Sequence, residues 1–79
     1  MRLPRDISGM ELASKLTVYG YFISRQSGSH IRLTTHFPKE HHITIPQHDP
    51  LKIGTLNAIL NSIAGHLQKT KDQIVQEIF

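Results

Sequence analysis

Between positions 25 and 32 the chain reads RQSGSHIR, which sets one imidazole between two guanidinium groups across a Ser-Gly-Ser turn. Those residue types suit phosphate chemistry. A neutral His30 could take the proton from a ribose 2′-hydroxyl, and the imidazolium so formed could give it to a departing 5′-oxygen. A positioned acid or base of this kind supplies roughly 10²–10⁴-fold in rate. Arg25 and Arg32 could grip the phosphate and stabilise charge developing on it, while Gly28 permits a tight turn and a close backbone approach. The same spacing fits a bland alternative, a polar residue at the exposed start of a strand. Spacing leaves both readings open.

The remaining histidines argue against a metal. Neighbours His41 and His42 point to opposite faces of a strand and cannot readily chelate one ion. No His-x₃-His pair exists, no cysteine adds a ligand, and His36, His42 and His48 could converge only through tertiary structure. His66, at the end of a helical stretch, is expected to face solvent. The basic residues Arg2, Arg5, Arg25, Arg32, Lys39 and Lys52 are scattered, and of these Arg25, Arg32 and Lys52 are expected to border the His30 site. Contacts from them to backbone phosphates would make binding salt-sensitive. With three Phe and two Tyr, most of them expected in the core, the sequence gives little support to a base-stacking platform.

The elements that must position these groups are legible in the pattern. Ser8-x-x-Glu11 is a capping box, and Leu12, Ala13, Leu16 and Tyr19 recur at helical spacing up to Gly20, so a helix is expected over about 9–19. Residues 21–26 are rich in β-formers. Residues 30–36 alternate, with Ile31, Leu33 and Thr35 on one face and His30, Arg32, Thr34 and His36 on the other. Residues 41–46 alternate again, with Ile43 and Ile45 opposite His42 and Thr44. Pro46 and Pro50 keep the next segment from being helical. Leu56, Ile59, Leu60, Ile63 and Leu67 then mark a helix over 53–67, weakened in its last turn by Gly65. Thr70-x-x-Gln73 opens a short C-terminal helix. The order is α-β-β-β-α plus that helix, an α+β fold: a three-stranded antiparallel sheet with the helices on one face. Double-stranded-RNA-binding domains share this architecture.

Seventy-nine residues with 38% hydrophobic content bound the chain to one domain, 1–79, with a thin core and no deep cavity. Chemistry would therefore take place on an open face, with a large substrate. The absence of cysteine excludes disulfides and suits the cytoplasm. No apolar stretch follows the basic start as in a signal peptide, and none is long enough for a membrane helix. A formal charge of +3 leans toward an anionic partner, nucleic acid above all.

Nearly the whole chain resembles the HicA/YcfA family, the toxin half of HicAB toxin–antitoxin pairs. The resemblance is carried by DISGMELASKLTVYGY (6–21), RQSGSH (25–30), ITIPQH (43–48) and KIGTLNAIL (52–60). A Gly-Ser-His turn, a Pro-x-His after the third strand and a Gly-Thr-Leu opening the next helix thus occur in order. The resemblance implies a double-stranded-RNA-binding-domain-like fold and a metal-independent mRNA endoribonuclease that needs no cofactor. Its catalytic histidine would be His30, with RNA contacts at Arg25, Gly28, Ser29, Arg32 and Lys52, and a HicB antitoxin would cover the site. Many relatives carry a second histidine where this chain has Ile31, whose alternation points it to the core. The C-terminal segment matches only loosely. The rival reading is a non-catalytic RNA-binding module, and the edge of so small a sheet offers a route to a homodimer.

Overall fold

The computed structural model describes residues 3–79, so Arg2 lies outside it. The chain runs α1 (Gly9–Lys15), a 3₁₀ turn (Leu16–Tyr19), β1 (Phe22–Ser27), β2 (His30–Thr35), β3 (His41–Pro46), α2 (Ile53–Leu67) and α3 (Lys71–Ile78). This is the expected α+β layout, except that the first helix tightens into 3₁₀ geometry for its last turn. The strands form one antiparallel sheet in the order β1-β2-β3. No described helix is long and apolar enough to cross a membrane.

Local sequence sets the helix ends. Ser8 Oγ accepts from the Glu11 amide while Glu11 accepts from the Ser8 amide, and those hydrogen bonds hold the Glu11 carboxyl below the usual range. Thr70 and Gln73 exchange the same pair of bonds at α3. Gly20 ends the first helical segment at φ 84°, where a Cβ would crowd Thr35 and Phe37.

The core lies between the helices and one face of the sheet. Leu12 and Leu16 meet Ile31, Leu33 and Ile45 from the sheet and Leu56, Leu60, Ile63 and Ile74 from α2 and α3, all fully buried. Each such side chain stabilises the fold by roughly 1.5–3 kcal/mol, against an ordering cost of about 1–2 kcal/mol per residue. So thin a core cannot lose several of them. Thr35 is buried with it, and its hydroxyl donates to the Tyr19 carbonyl. Outside the region between α1 and α2, Tyr19 donates to Glu77, which also pairs with Lys69, tying α3 to the 3₁₀ turn.

Two expectations about aromatic and imidazole side chains are corrected. The three phenylalanines are all exposed, since Phe22 and Phe37 fall on the sheet's outer positions and turn and Phe79 at the chain end. His66 is half-buried rather than solvent-facing. It stacks on His41 at 4.3 Å, nearly parallel, and donates through Nε2 to the Phe37 carbonyl at 2.8 Å. The Tyr21 hydroxyl in turn shares a hydrogen bond with His41 Nδ1 at 2.7 Å, and burial pushes its phenol up to about 12. Helix α2 passes this end of the sheet, which brings its last turn over the start of β3.

Backbone bonds then pin the segment after β3. The Gln47 amide donates to the Ser29 carbonyl at 2.6 Å, Gly9 donates to the His48 carbonyl at 3.0 Å, and Leu51 donates to the Ile7 carbonyl at 2.8 Å. Gly9 is buried, and a Cβ there would collide with the Pro46 carbonyl.

Two predictions follow from this packing. Gly9→Ala should cost about 1–3 kcal/mol by overpacking, a fall in Tm of at least about 5 °C for a chain of this size; an unchanged melt would show that the clamp is loose. Burial first, then the nearby His66 and His42, lower the pKa of His41 from its ordinary value. The unfolded chain therefore binds more protons below about pH 6.5, and stability is present above that pH and lost as the medium is acidified. Tm should fall between pH 7.5 and 5, and the fall should flatten in His41→Gln. An equal slope in the variant would place the acid sensitivity elsewhere.

Candidate functional site

The β1–β2 hairpin turns on two residues, Gly28 and Ser29, closed by the pair Ser27 and His30. Gly28 takes φ 56°, the geometry that a tight hairpin asks of its first central residue. Open space surrounds the position a Cβ would occupy. His30 thus opens the central strand, pairing with Ser27 on one side and Pro46 on the other. It is exposed, and among the described residues no side chain hydrogen-bonds to its ring.

A β-bulge decides what stands beside it. Ile23 pairs with Leu33, but Arg25, two residues on, pairs with Arg32, the very next residue of β2, so Ser24 is the extra residue. Simple alternation from Ile23 would put Arg25 on the helix-covered side. The bulge shifts that alternation by one, and Arg25 shares the open face with Arg32. A shallow depression of about 240 Å³ results, lined by Arg25, Ser27, His30, Arg32 and Thr44. Like charges paired directly across strands are unfavourable, and none of the ion pairs among the described residues engages either guanidinium. An anion bridging the two would relieve the repulsion.

Of the sequence-derived candidates, the fold gathers Arg25, His30 and Arg32. Gly28 and Ser29 form the adjoining turn without lining the depression. Lys52 is the exposed N-cap of α2, in the helical layer and outside the depression. Ser27 and Thr44 join the site through cross-strand register, which the strand spans alone do not give. His48 lines a separate depression with Ser8, Gly9 and Met10.

Above the arginines runs a hydrogen-bonded chain. His42 Nε2 meets Glu40 at 2.8 Å, His42 Nδ1 meets Thr34 Oγ1 at 2.8 Å, and Thr34 meets Ser24 Oγ at 2.7 Å. Ser24 also reaches the Arg32 carbonyl at 3.3 Å. With His42 neutral, its Nε2–H donates to Glu40, so Nδ1 accepts from Thr34. The His42 hydrogen bond, with the charge of His42 when it is protonated and smaller contributions from His36 and Arg32, holds the Glu40 carboxyl below its ordinary range. This chain fastens the bulge. It also buries Thr34, which sits on the uncovered face yet is only 4% exposed. His36 lies 3.8 Å from Glu40, so His36 and His42 do approach one another while His48 does not. Among the described residues no group of three could hold a metal ion.

A family model described as HicA toxin of bacterial toxin–antitoxin matches residues 9–64. The match takes in α1, the whole sheet and most of α2, and leaves α3 outside. No curated protein and no solved structure matches the chain.

The depression predicts how polyanion binding divides among the basic residues. Arg25→Gln and Arg32→Gln should each lower the slope of log affinity for single-stranded RNA against log salt by about 0.7. Lys52→Gln should change it less. Equal slopes for all three would disperse the site.

Proposed function

The chain belongs to the HicA toxin family of bacterial toxin–antitoxin systems, and on that premise we propose that it is a metal-independent endoribonuclease that cuts mRNA. The observation that carries this reading is the depression itself, where one imidazole stands beside two guanidinium groups that form no salt bridge with any described carboxylate. RNA lies across the open sheet face with the scissile phosphate between Arg25 and Arg32. Neutral His30 takes the 2′-hydroxyl proton as that oxygen attacks the adjacent phosphorus. The new O2′–P bond forms as the P–O5′ bond breaks, and the imidazolium gives the same proton to O5′. The products are a 2′,3′-cyclic phosphate and a 5′-hydroxyl. The guanidinium groups stabilise the charge that gathers on the non-bridging oxygens. The hydroxyls of Ser27 and Thr44, on the same face, are within the depression to donate to them.

The toxin role implies an antitoxin, and a HicB-type protein laid over this face would both fill the anion site and bar RNA from it. The cytoplasm, where mRNA is found, is the compartment this activity requires. β1 is an open sheet edge with every residue exposed; a homodimer through it would have to accommodate the bulge at Ser24.

A second reading, a non-catalytic RNA-binding module, is favoured by one observation: no described side chain orients the His30 ring. Shape and 2′-hydroxyl contacts would then suffice. Cleavage of a defined RNA separates the two. The wild type should leave cyclic-phosphate ends, His30→Ala should cut at least about 100-fold more slowly, and a single 2′-deoxy substitution at the cut position should abolish cleavage there. If the wild type leaves RNA intact while His30→Ala binds it equally well, the binding-module reading replaces the ribonuclease. If DNA is cut as readily as RNA, the 2′-hydroxyl route is wrong.

A further inference from the structure

The open face continues past the arginines, and its chemistry changes there. Successive cross-strand rows from the hairpin turn are Ser27 and His30, then Arg25, Arg32 and Thr44, then Phe22, Thr34 and His42. Phe22 keeps 48% of its surface in water. Its ring centroid is 5.8 Å from that of His36, with the planes inclined at 40°. The other exposed large apolar side chains, Met10, Val18, Ile23, Phe37, Ile53 and Phe79, belong to helices, turns, the chain end or the helix-facing side of β1. Phe22 is thus the exposed aromatic in the third row of the polar face, at its border with the apolar depression that Met10 and Ile23 line beside α1. Phe22 is continuous with the phosphate-gripping row.

We propose that Phe22 and His36 form a stacking subsite for one unpaired nucleobase of the RNA strand whose phosphate lies between Arg25 and Arg32. This rests on the ribonucleolytic reading of the same face. Three features favour a base over other occupants. The electrostatics divide the face, with cations where a phosphate would lie and, beyond them, the exposed Glu40 carboxylate 3.8 Å from His36, which repels a phosphate but not a base. Thr34, the cross-strand partner of Phe22, is buried with its hydroxyl bonded to both Ser24 and His42, so it offers no unpaired polar group to compete with a base. The spacing also fits a flanking nucleotide rather than the one being cut. Phe22 stands opposite Thr34, four residues along β2 from His30, or about 13 Å at strand rise. Stacking on an aromatic ring tolerates any base, whereas a duplex keeps its base faces inside the helix and could not use the platform. The subsite would therefore select single-stranded RNA.

The test uses His30→Ala protein, so that the probe survives, and a short single-stranded RNA carrying 2-aminopurine. Loss of one stacked base should weaken affinity roughly five- to a hundredfold in Phe22→Leu, with the 2-aminopurine fluorescence change lost as well. Phe22→Tyr, which keeps a ring, should restore both, and the fully paired form of the same RNA should bind Phe22→Leu and parent alike. Circular dichroism melts confirm that each variant is folded. If Phe22→Leu binds the single strand as tightly as the parent while Arg25→Gln is weakened, the subsite is wrong and the ribonuclease reading stands. If Phe22→Leu instead keeps its RNA affinity but alters self-association in sedimentation, the ring serves a protein contact and the proposal is overturned. If the parent shows no salt-dependent RNA binding, both readings fall together.

Discussion

The start of α1 packs directly on the last carbonyl of β3, and most of the molecule's arrangement depends on that contact. Only a glycine at position 9 lets the Pro46 carbonyl come so close. The same approach lets Gly9 bond to His48 and leaves Gln47 free to bond to Ser29. Three stretches far apart in sequence are thereby fixed to one another: the capped helix start, the hairpin turn before His30, and the Pro-x-His segment. None of them would hold His30 in place alone. A two-residue hairpin frays when isolated, but this one is tethered from behind by the loop that α1 holds.

Electrostatic organisation follows from where the few acids go. The sequence has six acidic residues against nine Lys and Arg. Glu11 caps α1, Glu77 binds Lys69 and Tyr19, and Glu40 binds His42. Those partners hold each carboxyl below its ordinary range. Arg25 and Arg32 are left facing each other across the strands, with no described carboxylate in salt-bridge reach of either. A modest net charge thus becomes a concentrated site, because the three glutamates are engaged elsewhere, at a helix start, with Lys69 and Tyr19, and with His42.

The histidines divide into groups that composition cannot separate. His41 and His66 stack within the helical layer, where burial and mutual repulsion oppose protonation of His41. They are structural. His36 and His42 surround Glu40 beside the bulge and shape the open face. His30 has no such partner and faces the depression, which leaves its ring free to meet a substrate.

The sequence by itself determined the elements. Capping boxes at Ser8 and Thr70, helical spacing in 56–67 and alternation in 30–36 and 41–46 are local signals, set by neighbours a few residues apart, and the structure keeps them. They also placed Ile31, Leu33, Ile43 and Ile45 in the core and His30 and Arg32 on the open face. What only the tertiary structure decided is which side chains share that face across strands. The bulge at Ser24 puts Arg25 and Phe22 on one face with Arg32 and Thr34, the hairpin turn and the β2–β3 register bring Ser27 and Thr44 to the depression, and Lys52 is carried away on α2. A bulge is stabilised by partners on neighbouring strands, here Thr34 and, through it, His42 and Glu40. Strand alternation cannot reveal it, because the energy that holds it comes from contacts the chain makes only after it has folded.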